Sequence, residues 1–103
     1  MTSEATVKKH VKKLLDLHHT YHHWPVQSGY GAPALDCNGC INGRRFDIET
    51  KAPGKHPTPR QELIIRDLKK VGSAVFIIGE REPLKGVYSG MDELHIWLTR
   101  QAK

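Results

Sequence analysis

The segment 35–51 has the pattern of a β-hairpin, and this hairpin restricts the possible folds more than any other feature of the chain. Asn42-Gly43 is a strong signal for a two-residue turn, because a type I′ turn needs positive φ at both central positions. The pattern predicts one strand over 35–41 and a second strand over 44–51. We therefore expect a sheet built around two antiparallel strands.

Side chains on the second predicted strand alternate between two faces. Phe46 and Ile48 fall on one face, and this apolar face is predicted to pack in the core. Glu49 and Lys51 fall on the other face, together with Asp47. We expect this charged face to border a cleft and not to face the core.

Apolar spacing and capping signals predict three helices and one more strand around the hairpin. The predicted elements are a helix over about 3–18, a loop or short strand over 18–25, a helix with its N-cap at Thr58 and its end at Gly72, a buried strand over 74–78, and a last helix from the Ser89 cap to about residue 99. The strand–helix–strand step to residue 74 suggests a parallel, right-handed crossover. Together these elements predict one α/β domain over 1–103, with a mixed β-sheet flanked by α-helices.

The composition limits the class of protein. The 103 residues are enough for one domain and one core, and Lys plus Arg exceed Asp plus Glu by five. A small basic domain is compatible with binding to nucleic acid or to an anionic lipid surface. No run of eighteen apolar residues is present, so we expect no membrane contact. The N-terminus lacks the form of a secretory signal and the chain has two cysteines, so we expect a cytoplasmic protein.

Three residues around the hairpin carry the candidate chemistry: Asp36, Glu49 and Lys51. Two carboxylates and an ammonium on one small surface are costly unless a divalent metal ion and a phosphate compensate them. Mg²⁺ or Mn²⁺ prefers oxygen ligands and can activate a water for phosphodiester hydrolysis. We predict that Asp36 and Glu49 bind the metal ion, and that Lys51 orients the water and stabilises the developing negative charge.

This arrangement resembles the PD-(D/E)XK nuclease superfamily, through Asp36, the tripeptide Glu49-Thr50-Lys51 and the hairpin between them. The stretches 29–33, 51–54 and 57–61 are similar to its small VRR-NUC branch, which is common in phages. The resemblance covers about positions 4 to 79. It departs from the branch at Pro33, which is followed by two residues before the Asp, whereas the branch often has Pro directly before it.

The resemblance implies a restriction-endonuclease-like core and a metal-dependent endonuclease that cleaves DNA, including branched or four-way junction DNA. It implies that the Thr50 carbonyl is a further metal ligand. It places Glu4 near the metal from the first helix, although an acid there also complements the helix dipole. It places Gln61 near the scissile phosphate, although Gln61 also completes a capping box with Thr58.

Basic residues near the proposed cleft are expected to contact phosphates without reading sequence. These residues are Arg44, Arg45, Lys55 and Arg60, with Tyr30 expected to stack on a base or sugar. The lysines of the first helix form either a DNA-tracking face or a solvated face: Lys8, Lys9, Lys12 and Lys13. We expect a homodimer that presents one site to each DNA strand, acting in the cytoplasm of a bacterial host if the chain is phage-encoded.

Two alternatives stay open. A nuclease fold that has lost catalysis would only bind nucleic acid or a protein partner. A zinc-dependent DNA-binding protein would use His18 with His22, or His19 with His23, if these pairs lay on a helix at i, i+4. Cys37 and Cys40 are not predicted to share a zinc ion, because they point to opposite faces of a strand.

Overall fold

The computed structural model of the chain describes residues 3–26, 34–81 and 87–101. The elements in chain order are α1 (Glu4–Leu17), β1 (Tyr21–His23), β2 (Cys37–Ile41), β3 (Arg44–Thr50), α2 (Pro59–Lys70), β4 (Ala74–Ile78) and α3 (Met91–Gln101). The strands form one sheet in the order β1-β2-β3-β4, in which β1, β2 and β3 pair antiparallel and β4 pairs parallel with β3. The predicted α/β fold with a mixed sheet is therefore confirmed.

The predicted hairpin is present. Asn42 and Gly43 have φ angles of 49° and 77°, the positive values that a type I′ turn requires. β2 begins at Cys37, two residues later than predicted, and its pairing with β3 starts from Cys37 opposite Ile48. Gly39 lies opposite Phe46, and a Cβ at this position would overlap the Phe46 ring.

The main core lies between the sheet and the helices α1 and α3. α1 contributes the buried stripe Val7, Val11 and Leu15, which lie one turn apart on the helix. This stripe packs in the same cluster as Phe46 and Ile48 of β3, with the buried leucines of α3. The predicted apolar face of β3 is confirmed.

α2 covers the other face of β3. Its Gln61 side chain contacts Glu49 and Lys51, which point away from the face that carries Phe46 and Ile48. Its N-terminus is as predicted. The Thr58 hydroxyl accepts from the Gln61 backbone N–H, the Gln61 side chain accepts from the Thr58 backbone N–H, and Pro59 is the first helical residue. The strand–helix–strand step from β3 through α2 to β4 is the expected parallel crossover.

The N-terminus of α3 differs from the prediction. The helix begins at Met91 and runs to Gln101, so Ser89 lies two residues before its start. The Ser89 hydroxyl instead accepts a hydrogen bond from the Arg81 backbone N–H. Gly90, with a φ of 86°, separates Ser89 from the helix. Across the three described ranges, none of the helices is sufficiently long and apolar to cross a membrane.

Candidate functional site

The candidate site lies where β3 ends and β2 begins. Glu49 lies near the end of β3, Lys51 directly follows the last residue of this strand, and Asp36 precedes the first paired residue of β2. Glu49 is 2% exposed and Lys51 is 8% exposed. The two side chains lie on the face of β3 opposite the apolar core, as predicted, but they are buried there. α2 packs over the polar face of β3, so this face is buried as well as the apolar one.

The Asp36 carboxylate is fixed against β3 by Thr50. Its Oδ2 atom accepts from both the backbone N–H and the hydroxyl of Thr50, each at 2.9 Å. The carboxylate takes this role because the β2–β3 pairing stops at Cys37 and leaves the Thr50 N–H without a strand partner on that side. The sequence predicted only the Thr50 carbonyl as a site group, and the hydroxyl contact was missed.

Glu49 lies beside Asp36 in the interior. Its Oε1 atom accepts from the Asp36 backbone N–H at 3.3 Å, and its Oε2 atom accepts from Gln61 Nε2 at 2.8 Å. Burial, together with the negative charge of Asp36, raises the pKa of Glu49 to about 7 against the opposing charge of Lys51. The Asp36 carboxylate is thus close enough to oppose the ionisation of Glu49.

Lys51 and Gln61 complete a hydrogen-bonded group with Glu49. The Lys51 ammonium donates to Gln61 Oε1 at 2.8 Å and lies 3.3 Å from Glu49 Oε2. The predicted capping box of Gln61 is confirmed, and the same side chain also joins Glu49 to Lys51, whereas its place near a scissile phosphate stays a prediction. The start of α2 is fixed to the end of β3 by this one amide.

Glu4 and Lys8 approach from α1. Glu4 lies in the first turn, directly after the Ser3 N-cap, where an acid complements the helix dipole. The Lys8 ammonium lies 3.8 Å from Glu4 Oε2 and 3.7 Å from Asp36 Oδ1, so it connects the two acids. The sequence grouped Lys8 with three other lysines and missed this contact. Its signal was the i, i+4 spacing from Glu4.

Two of the predicted phosphate-contacting residues lie near the site, and two do not. Lys55 is exposed in the loop that follows Lys51, and Arg60 is exposed at the start of α2. Arg44 and Arg45 lie at the turn end of β3, which a strand rise of about 3.3 Å per residue places roughly 20 Å from the Thr50 end. The expectation that these arginines border the site was therefore wrong.

Arg45 has a different role at that end of the strand. Its guanidinium donates twice to the buried Asp47 carboxylate, at 2.9 and 3.0 Å. Asp47 also accepts from the Ser73 hydroxyl just before β4. This group joins the starts of β3 and β4. Tyr30, the predicted stacking residue, lies outside the described residues, as does the whole 29–33 stretch.

The histidine pairs do not lie on one helix, as the zinc-dependent alternative would require. α1 ends at Leu17, so His22 belongs to β1 and not to the helix that would align it with His18. His22 Nε2 contacts Asp16 Oδ1 at 2.7 Å, and His22 Nδ1 accepts from the Trp24 indole N–H. These contacts fix the His22 ring as part of the α1–β1 connection.

The two cysteines have separate surroundings. Cys37 is buried and Cys40 is exposed, which confirms their predicted positions on opposite faces of β2. Burial raises the pKa of the Cys37 thiol to about 12. Cys37 is therefore a core residue whose thiol stays protonated at neutral pH.

The site offers oxygen ligands, the type that a hard divalent cation prefers. The number of carboxylates that approach each other there is small. Over residues 3–26, 34–81 and 87–101, no group of three His, Cys, Asp or Glu side chains could hold a metal ion. Asp36 and Glu49 approach each other, and Glu4 is connected to Asp36 only through Lys8. Mg²⁺ commonly uses one or two carboxylates and keeps several waters, so a two-carboxylate site fits its coordination.

The chain matches no family model, no curated protein and no solved structure. The resemblance to PD-(D/E)XK nucleases therefore depends on the sequence motifs of this chain and on the residues of this site. Membership in that superfamily stays a prediction.

Proposed function

We propose that the chain is a Mg²⁺- or Mn²⁺-dependent endonuclease of the PD-(D/E)XK type that hydrolyses phosphodiester bonds in DNA. One observation carries the proposal: Asp36, Glu49 and Lys51 meet at the end of β3, where the Asp36 backbone N–H donates to Glu49 and Gln61 joins Glu49 to Lys51. These are the groups that metal-assisted phosphodiester hydrolysis requires, namely acidic oxygens for a cation and an ammonium for the phosphate.

The electrostatics of the two acids support a cation at this position. Asp36 and Glu49 are held close together, and Glu49 is buried so deeply that its pKa is raised to about 7. A divalent cation beside the pair would offset both the burial and the mutual repulsion of the carboxylates. Asp36 Oδ1, a Glu49 oxygen and the Thr50 carbonyl are the groups that would hold it. Bound there, the cation would act as a Lewis acid and lower the pKa of a bound water.

Lys51 and Gln61 would act on the phosphate side of the site. The Lys51 ammonium donates to Gln61 Oε1 and lies against Glu49, so its position is fixed before substrate arrives. When a scissile phosphate replaces Gln61 as its acceptor, Lys51 would stabilise the negative charge that develops on the phosphoryl oxygens. Gln61 would keep the Glu49 carboxylate oriented through its Nε2 donor.

Substrate binding would depend on backbone phosphates. Lys55 and Arg60 flank the site, and the chain has a net charge of +5, which favours a polyanion. Such contacts position DNA without reading its sequence, so selectivity would depend on DNA shape. Activity on branched DNA is proposed because the resemblance to the VRR-NUC branch implies it, and a homodimer would place one site on each strand. A sedimentation mass equal to one chain, with and without DNA, would refute the dimer.

A second candidate function is a binding module without catalysis. It is favoured by one observation: the acids of the site already have internal counter-charges, with Lys8 near Asp36 and Lys51 near Glu49. A network compensated in this way can serve as a purely structural ion-pair group. Calorimetric titration with Mn²⁺ separates the two functions. A protein that binds DNA but no Mn²⁺ would be a binding module and not a nuclease.

The proposal is tested by incubating the protein with labelled linear, flapped and four-way junction DNAs in Mg²⁺, in Mn²⁺ and in chelator. We expect cleavage with either metal ion, none in chelator, and none with Glu49→Gln or Lys51→Met. Lys69→Met removes an exposed charge from the far end of α2 and should cleave like the wild type. Cleavage that survives chelator, or wild-type rates in both site variants, would reject the assignment.

A further inference from the structure

Lys8 differs from the other lysines of α1 in what it contacts. Its ammonium lies between two acids, 3.7 Å from Asp36 Oδ1 and 3.8 Å from Glu4 Oε2. The Lys12 ammonium lies over the Trp24 ring instead, 4.9 Å from its centroid. Lys9 is exposed and lines a groove on the outer side of α1. Of these three lysines, Lys8 is the one directed at the site.

The atom that Lys8 faces is the oxygen that a metal ion would use. Asp36 Oδ2 is occupied by the two donors of Thr50, whereas Oδ1 faces Lys8. The Lys8 ammonium therefore supplies positive charge beside the carboxylate pair in the metal-free protein. The ammonium occupies the position that a bound cation or its coordinated waters would take.

The ion pairs of Lys8 with Asp36 and Glu4 are weak and can be broken at little cost. Both exceed the 2.7–3.2 Å range of N–H···O hydrogen bonds, so they are ion pairs without a close hydrogen bond. The Lys8 side chain is 33% exposed, and ion pairs at this level of exposure contribute about 0–1 kcal/mol. A flexible lysine side chain can leave such a position for solvent at little cost. By contrast, Lys51 donates at 2.8 Å within the interior and is fixed there.

We propose that Lys8 is an exchangeable internal cation, whose ammonium neutralises Asp36 and Glu4 in the metal-free protein and withdraws when a divalent cation binds. The inference rests on the proposed function, since it concerns the same metal site. It assigns Lys8 a positioning and regulatory role. Lys8 weakens metal binding by competing for Asp36 Oδ1, and it preserves the arrangement of the acids while no metal ion is bound.

Calorimetric titration of Mn²⁺ into wild type, Lys8→Met, Lys8→Arg and Lys9→Met tests the proposal. Lys8→Met and Lys9→Met remove the same charge from adjacent positions, but only Lys8 faces the acids. We expect Lys8→Met to lower the Mn²⁺ dissociation constant by about three- to fivefold, since the ion pair that the metal ion displaces contributes up to about 1 kcal/mol. Lys9→Met should change it by less than about twofold, because exposed charges farther away are screened. Lys8→Arg should resemble the wild type.

Thermal unfolding provides a readout that does not depend on catalysis. In chelator, Lys8→Met should unfold at a lower temperature than Lys9→Met, and saturating Mn²⁺ should remove or reverse this difference. Equal Mn²⁺ affinities in Lys8→Met and Lys9→Met would overturn the role of Lys8 while leaving the metal site intact. A wild-type protein that binds no Mn²⁺ would overturn both this inference and the nuclease proposal.

Discussion

Raising the pH should destabilise the metal-free protein, because folding holds a proton on Glu49. The pKa of this carboxyl is about 7 in the folded chain, against 4.5 for an ordinary glutamate. Between these two pH values the folded state binds more protons than the unfolded state, so stability falls as pH rises through this window and levels off above it. At about 1.4 kcal/mol per pKa unit, the whole loss is about 3 kcal/mol, most of it between pH 5 and pH 7.

His18 titrates in the same range with the opposite sign, and the measurement must separate the two. Burial lowers the pKa of His18, and the nearby charges of His95 and His19 lower it further. The unfolded chain therefore binds more protons at this residue, and its contribution to stability rises with pH up to the ordinary value of 6.5. Glu49→Gln removes the carboxyl titration and leaves that of His18 unchanged.

Urea unfolding of wild type and Glu49→Gln in chelator, from pH 5 to pH 8, gives the difference directly. We expect the wild type to lose about 2–3 kcal/mol relative to the variant over this range. Added Mn²⁺ should reduce the loss, because a cation favours the ionised carboxyl. If the difference in free energy of unfolding between the two proteins stays constant with pH, the raised pKa of Glu49 would be refuted.

Three further changes test other parts of the structure. Gly39→Ala should cost at least about 2 kcal/mol in urea unfolding, since the added methyl group overlaps the Phe46 ring, and a loss below about half of that would contradict this packing. Thr58→Ala should lower the free energy of unfolding by about 1 kcal/mol, because the helix cap is lost, and should lower the cleavage rate, because Gln61 is released. An unchanged cleavage rate would show that the cap does not support the site. Lys51→Met should abolish cleavage yet retain Mn²⁺ binding by calorimetry, and loss of both would show that Lys51 acts through the metal site.

The parts of the site that depend on local sequence could be predicted. The Asn42-Gly43 turn sets the register of the hairpin, and this register alone brings Asp36 opposite the end of β3. The cap of α2 is likewise local, since Thr58 and Gln61 are three residues apart.

The parts that depend on packing between elements could not be predicted. Strand alternation places Glu49 and Lys51 on one face but does not show whether a helix covers that face, and α2 does. The role of Lys8 depends on how α1 is oriented over β3. The pairing of Arg45 with Asp47 was accessible in principle, because residues two apart on a strand share a face.

Asp36 and Glu49 are proposed to share one divalent cation. Anomalous diffraction from a crystal grown with Mn²⁺ tests it most directly, since it locates the ion without depending on activity. We expect a manganese peak within about 2.2 Å of one oxygen from each carboxylate, with the Lys8 ammonium displaced from Asp36 Oδ1. A crystal in which manganese binds elsewhere, or in which Lys8 still occupies its place between Glu4 and Asp36 at saturating Mn²⁺, would contradict the account.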